Sequence, residues 1–291
     1  MGIVSCNRVL RRARVSLVGF TALVAVCMAL SLEGAPRVDP PPSARKVPLV
    51  IQAWGVPDAG QMGKPDAIGL GAYDGRTRTA RYRLELLTAE SVKGPAKRRD
   101  NFHADLTWPA EFRATLADYH AIAEKYDRGH LAPAGDHAHT QSEMDATFIL
   151  SNMAPQHSKL NRGLWKQLEE SLRKAALRDD VAGIWVATIP LYAPADLPAQ
   201  GEPCQTRVIF AVAGVDHIPI PTHFAKAALF LAKRGDNPIA LRAWAFENRA
   251  PRAEETVEKS RVTVDLIEHW SGLDFFAELP DELENKLEAG K

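Results

Sequence analysis

The stretch Asp127–His137, reading DRGHLAPAGDH, decides how the rest of the chain is read. As a strand, it places Tyr126, Arg128 and His130 on one face and Asp127, Gly129 and Leu131 on the other, because side chains alternate along an extended backbone. Pro133 and Gly135 end that strand. An arginine and a histidine on one face set a group that titrates near neutral pH beside a permanent cation.

The next informative block lies downstream, at Leu160–Glu169, reading LNRGLWKQLE. Asn161–Leu177 is predicted as one helix, with Leu164, Trp165, Leu168 and Leu172 at the spacing of a buried face. Between the blocks, Thr140-Gln141-Ser142-Glu143 fits a capping box for a short helix to about Thr147. Phe148–Leu150 reads as a short strand running into a loop.

The two blocks together hold what phosphodiester hydrolysis requires. Water must lose a proton, and His130 suits that task. Charge on the phosphate and on the leaving oxygen must be neutralised. Mg²⁺ does both while keeping most of its waters and taking only one or two protein oxygens. Asn161 offers such an oxygen. Glu169 lies roughly 12 Å further along a straight helix axis, too far for a shared coordination shell, although helical side chains lean back towards the N-terminus. Arg173 extends the same line by a turn. Each residue also has a bland reading: Asn161 as a helix N-cap, Glu169 as the i, i+4 partner of Arg173, His130 as a structural histidine. Only the joint pattern favours chemistry.

The 291 residues are 46% hydrophobic and 25% charged, with a formal net charge of zero. That composition suits a domain with a real core. It does not announce a nucleic-acid partner, yet a local basic cleft suffices for one. Arg8, Arg11, Arg12 and Arg14 precede an apolar run from Val15 to Leu32, the pattern of a secretory signal or uncleaved anchor. Without residues 1–35 the chain has 32 basic and 35 acidic residues, a formal charge of −3. Residues 36–48 hold five prolines and read as a linker. The folded domain is set at 49–291. Of Cys6, Cys27 and Cys204, only the last lies outside the leader, and it reads as a packing residue.

Within the domain, Gly55–Gly71 reads as loop and Ala80–Leu87 as a half-buried strand. Lys97-Arg98-Arg99 is the densest basic cluster after the leader. Phe112–Tyr126 suits a helix without clean ends. Gly183–Leu191 and Thr206–Val212 read as buried strands, and periodicity leaves Thr222–Lys233 open between helix and strand. Thr263–Gly272 reads as a capped helix, and Pro280–Lys291 as a charged helix or tail.

The chain resembles the DNA/RNA non-specific endonucleases, the ββα-metal group that includes endonuclease G. The resemblance rests on YDRGHLAPAGDH at 126–137, FILSNMAPQ at 148–156 and LNRGLWKQLEESLR at 160–173. IPTHFAKA at 220–227 and VDLIEHWSGLDFF at 264–276 add to it. It implies an α+β fold, a mixed or antiparallel central sheet flanked by helices, carrying a ββα-metal motif. It implies a Mg²⁺-dependent endonuclease on DNA and RNA backbones, with Mn²⁺ as a substitute. His130 would be the general base and Asn161 the sole direct metal ligand. Glu169 would hold metal-bound water, Arg173 stabilise charge, Arg128 support the site and Asn152 order the pocket. Arg98 or Arg99, ahead of Phe102, would contact phosphate. A homodimer and a membrane tether through residues 15–32 are further expectations. So is export, to the periplasm or outside the cell, or else a place in the mitochondrial intermembrane space. The chain departs from the family pattern at Ile189-Pro190 and Glu247-Asn248, both outside the catalytic set.

Two rival readings frame these expectations. One is a secreted zinc hydrolase using His130, His137 and His139, although the spacing is no standard zinc signature and HExxH is absent. The other is a nucleic-acid-binding protein of the same fold without activity, against which all the catalytic positions are filled.

Overall fold

The computed structural model describes Pro57 and residues 64–192, 212–214, 216–234 and 237–289. The expected leader, linker and domain start, with Cys204 and most of the Thr206–Val212 run, lie outside them. Among the described residues no helix is long and apolar enough to cross a membrane.

The strands are β1 (Lys64–Asp66), β2 (Gly69–Asp74), β3 (Thr79–Leu87), β4 (Tyr126–His130), β5 (Met153–His157), β6 (Val181–Leu191), β7 (Val212–Ala213), β8 (Ile218–Pro219), β9 (His223–Ala232), β10 (Pro238–Glu247) and β11 (Arg261–Val262). Seven form one sheet in the order β1-β2-β3-β6-β9-β10-β11. Every pairing in it is antiparallel. The α+β expectation therefore holds, with the antiparallel form of the sheet. The chain leaves the sheet after β3 and rejoins it at β6. The excursion carries the two-stranded ribbon β4–β5 and the helices that follow.

The sheet buries both faces. On one, Tyr82, Leu84, Trp185, Leu229 and their neighbours pack with helices α4 (Val264–Ser271) and α5 (Asp281–Glu288). On the other, Val186, Phe224, Ala228 and Phe230 pack with helix α3 (Lys166–Ala176) through Trp165, Leu168 and Leu172. Trp165 is fully buried and meets Phe224 and Phe246 edge-on at 5.6 and 5.9 Å. Two-sided burial explains why β6 and β9 read as continuous apolar runs. It also explains why periodicity left Thr222–Lys233 open: pairing with β6 and β10 makes it a strand.

Several expectations need correction. Lys64–Asp66 and Gly69–Asp74 form a hairpin within the segment read as loop, because its turn-type residues cluster around one tight reversal, Gly69 having φ +132°. β3 is not half-buried. Arg83 and Glu85 are 4% and 1% exposed, each with a partner: Asp66 at 2.5 Å and His137 at 2.9 Å. Of Phe112–Tyr126, only α1 (Leu116–His120) is α-helical. The strand expected at Phe148–Leu150 starts later, at Met153, and runs through Pro155. In a two-stranded ribbon a proline at a free edge removes no needed hydrogen bond. β10 was not foreseen, since its arginine and alanines break any apolar run. Helix α2 (Gln141–Ala146), capped by Thr140, and α4, capped by Thr263 and closed by Gly272 at φ +67°, form as expected.

Candidate active site

β4 and β5 pair antiparallel, with Gly129 opposite Ala154 and His130 opposite Met153. A Cβ at Gly129 would come within 2.5 Å of Gln156 Oε1, so the ribbon closes only with glycine there. Arg128 and His130 share a face, and both meet Phe102. The Arg128 guanidinium lies 4.0 Å from its ring centre and the imidazole 5.6 Å. Phe148 closes on the imidazole edge-on at 4.9 Å. Burial among these rings, then the charges of Arg98 and Arg128, push the His130 pKa from 6.5 down to about 3. His130 is therefore neutral throughout the ordinary pH range, its Nε2 buried without a hydrogen-bond partner.

The predicted helix Asn161–Leu177 is interrupted. A helical turn at Ser158–Leu160 runs into a wide turn at Asn161–Trp165, where Gly163 (φ −108°, ψ −112°) leaves helical geometry, and α3 begins at Lys166. The straight-axis spacing of Asn161 and Glu169 thus does not apply. Both residues line one cleft of about 810 Å³ with His130, Arg128, Arg98 and Arg173. Five of its lining residues are Lys or Arg and three are Asp or Glu, so a neutral chain presents a locally basic cleft.

Asp127, given no role by the sequence reading, fixes the asparagine. Its carboxylate accepts from Asn161 Nδ2 at 2.9 Å and from Arg162 Nε and Nη2 at 2.9 and 2.7 Å. With its NH₂ engaged, Asn161 keeps its carbonyl oxygen as a free acceptor. Arg173 donates to buried Asp136 at 2.6 Å. Burial, with Glu85 adding to it, raises Asp136 to about 6. Glu169 is half-buried. Burial lifts its carboxyl from 4.5 to about 8, Lys226 pulling it back and Asp136 adding to the rise.

The remaining expected residues separate. Arg98 lines the cleft, its guanidinium 5.0 Å from the Phe148 ring centre, whereas Arg99 turns to Asp145 at 3.4 Å and does not line it. Asn152 is fully buried away from the cleft. It bonds Ala132 through both its oxygen and its nitrogen, and Thr147 O at 2.8 Å, tying the segment after His130 to that before β5. Asn248, next to the departure from the family pattern at Glu247, clamps the ribbon's far end, accepting from His157 N and donating to Pro155 and Pro221 carbonyls. The zinc reading finds no support. His137 bonds Glu85, His139 lies 3.5 Å from Glu90, and among the described residues no three His, Cys, Asp or Glu side chains gather for a metal.

A ribbon delivering a histidine, followed by a helix delivering an asparagine and a glutamate to the same basic cleft, is the architecture of a ββα-metal nuclease. The chain matches the model of the DNA/RNA non-specific endonucleases over residues 71–282 and belongs to that family. Mitochondrial endonuclease G of Bos taurus is 34% identical over 258 residues, 88% of this chain and 82% of the relative. Nuclease C1 of Cunninghamella echinulata var. echinulata is 38% identical over 212 residues, 72% and 80% of the two chains. Mitochondrial nuclease EXOG of Xenopus laevis is 31% identical over 267 residues, 90% and 72%. A crystal structure of an EndoG/EndoGI complex superimposes with a TM-score of 0.70 at 28% identity, covering 80% of this chain and 93% of that one. The protein is thus a non-specific nuclease acting on phosphodiester bonds.

Proposed function

We propose that this nuclease cleaves DNA and RNA backbones with His130 as general base and Asn161 as the protein oxygen offered to a hydrated Mg²⁺, Mn²⁺ substituting. The observation that supports this most is the convergence of His130, Asn161 and Glu169, from separate segments, on one basic cleft. The residues fit a hard cation: Asn161 keeps a free carbonyl oxygen, and Glu169 is a half-buried carboxyl in the same cleft whose charged form burial disfavours. Bound there, Mg²⁺ neutralises charge on the phosphate and on the departing oxygen.

The chain's own residues do the rest. Neutral His130 accepts the proton of the attacking water. A base with a pKa near 3 is a weak one, but the cations that depress it are Arg98 and Arg128. A phosphate seated between those guanidinium groups cancels their charge and lifts the ring towards the pKa that suits its task. Arg98, rather than Arg99, is the substrate-contacting arginine. Arg173, held by Asp136, faces the phosphate from the helix side. Glu169, in the same cleft, would hold water of a bound cation. Asn152 keeps the loops around His130 in register.

The Arg-flanked leader supports export or membrane anchoring of the domain. The mitochondrial location in the names of the endonuclease G and EXOG relatives supports the alternative, a mitochondrial place. Digestion of single- and double-stranded DNA and RNA, with Mg²⁺ and with chelator, tests the reading. All four substrates should be cut with Mg²⁺ and none with chelator. Cleavage that survives complete chelation contradicts it.

A further inference from the structure

Beneath the cleft lies a buried pair that the chemistry above does not use. Glu85, on β3, is 1% exposed and His137 is 8% exposed. His137 Nε2 donates to Glu85 Oε2 at 2.9 Å. Leu87, two residues further along the strand, packs in the layer between the sheet and α3, so Glu85 points into that same layer. A buried polar pair carries a desolvation cost that apolar side chains of similar size would avoid, and its best-attested use is to fix one geometry.

One turn carries that geometry to the cleft. Residues 133–137 close on themselves, Asp136 N donating to Pro133 O at 3.0 Å and His137 N to Ala134 O at 3.3 Å. From this turn Asp136, 3% exposed, accepts from Arg173 Nη1 at 2.6 Å. Gly135 lies close against the same guanidinium: a Cβ on it would stand 3.3 Å from Arg173 Cζ and Nη1. Ala138 N donates to Ser91 O at 2.8 Å, which fixes the chain beyond the turn, and the His137 side chain fixes the turn itself to the sheet. Arg173 lines the cleft. A guanidinium is a rigid planar fork of five donors, so with Nη1 on Asp136 the position of the turn sets where the other donors point.

We propose that Glu85 and His137 are positioning residues of the nuclease: the pair seats the 133–137 turn on the sheet and so aims the Arg173 guanidinium into the cleft. This rests on the reading of Arg173 given above, so one arm of the test needs neither substrate nor activity. Glu85→Met/His137→Leu replaces both partners with apolar side chains and leaves neither unpaired. In the substrate-free protein, ¹⁵N NMR at low temperature should resolve the Arg173 Nη1 protons in wild type and average them in this variant. Resolved protons in both proteins, or averaged ones already in wild type, overturn the proposal whatever the protein cleaves. In plasmid cleavage the variant should lose at least tenfold in kcat, with KM changed less than threefold. The same swap should cost less than twofold on an Arg173→Ala background and its full tenfold on an Arg98→Ala background. His137→Gln, whose amide can donate to Glu85 as the imidazole does, should stay within threefold of wild type. An unchanged kcat in the folded swap, or equal losses on the two backgrounds, overturns the proposal. Wild-type rates in Arg173→Ala would instead remove the reading of Arg173 and leave the NMR arm to decide. Where the apolar swap does not fold, Glu85→Gln/His137→Asn, neutral and too short to meet, takes its place with the same expected losses and the same overturning results.

Discussion

His130 sits in an aromatic box whose open side is lined by arginines, and that setting separates its two protonation states widely. Its depressed pKa, caused first by burial and then by Arg98 and Arg128, means that its own titration lies near pH 3 in the substrate-free protein. The pH–rate profile for kcat/KM should therefore show no acid limb at the ordinary histidine value of 6.5. The limb should belong to Glu169, which is uncharged below about 8 without a bound cation. Because a cation and a proton compete for that region, raising Mg²⁺ should move the limb to lower pH. A limb fixed at 6.5 at all Mg²⁺ concentrations contradicts this assignment. Asp127→Ala removes the acceptor that orients Asn161 and Arg162. It should raise the Mg²⁺ concentration needed for half-maximal rate about tenfold or more, as loss of an outer partner of a metal ligand commonly does.

At the scale of elements, the interruption at Gly163 is the feature that brings Asn161 and Glu169 to one cleft. Gly163→Ala favours an unbroken helix, since alanine is better than glycine in a helix by about 1 kcal/mol. It should cut activity while leaving the melting temperature unchanged or raised, by parallel circular dichroism and plasmid cleavage. The heptad-like spacing of Leu164, Trp165, Leu168 and Leu172 showed that a helix packs here, but helical periodicity tolerates a local wide turn and gives no sign of one. The same limit applies to β5. Its residues MAPQH look like a loop because Pro155 and Gln156 suit loops, and only the ribbon partner makes them a strand. Lys97-Arg98-Arg99 could not be divided by spacing. Arg98 turns over Phe148 and Arg99 towards Asp145, so Arg98→Ala should raise KM and lower the salt sensitivity of binding, while Arg99→Ala changes both little.

Over the whole molecule, the chemistry was more legible than the architecture beneath it. DRGH, SNMAPQ and LNRG mark the site because each needs particular side chains at fixed spacing. Glu85 and Lys226 gave no such signal: a charged residue inside an apolar strand pattern looks like a solvent-facing position until the layer covering it is known. The half-buried Glu169 carboxyl has a stability consequence. The Glu169 pKa is higher folded than unfolded, so its contribution is greatest below about 4.5 and is lost as pH rises through about 8. Glu169→Gln should raise the melting temperature of the metal-free protein at pH 9 and leave it unchanged at pH 4.5.

The central claim is that His130 takes the proton from water in this cleft, and plasmid cleavage by His130→Ala tests it most directly. With Mg²⁺ present and an unchanged melting temperature, the variant should be slower than wild type by about 10²- to 10⁴-fold, the usual contribution of a general base. Wild-type rates in a folded His130→Ala protein would contradict the account.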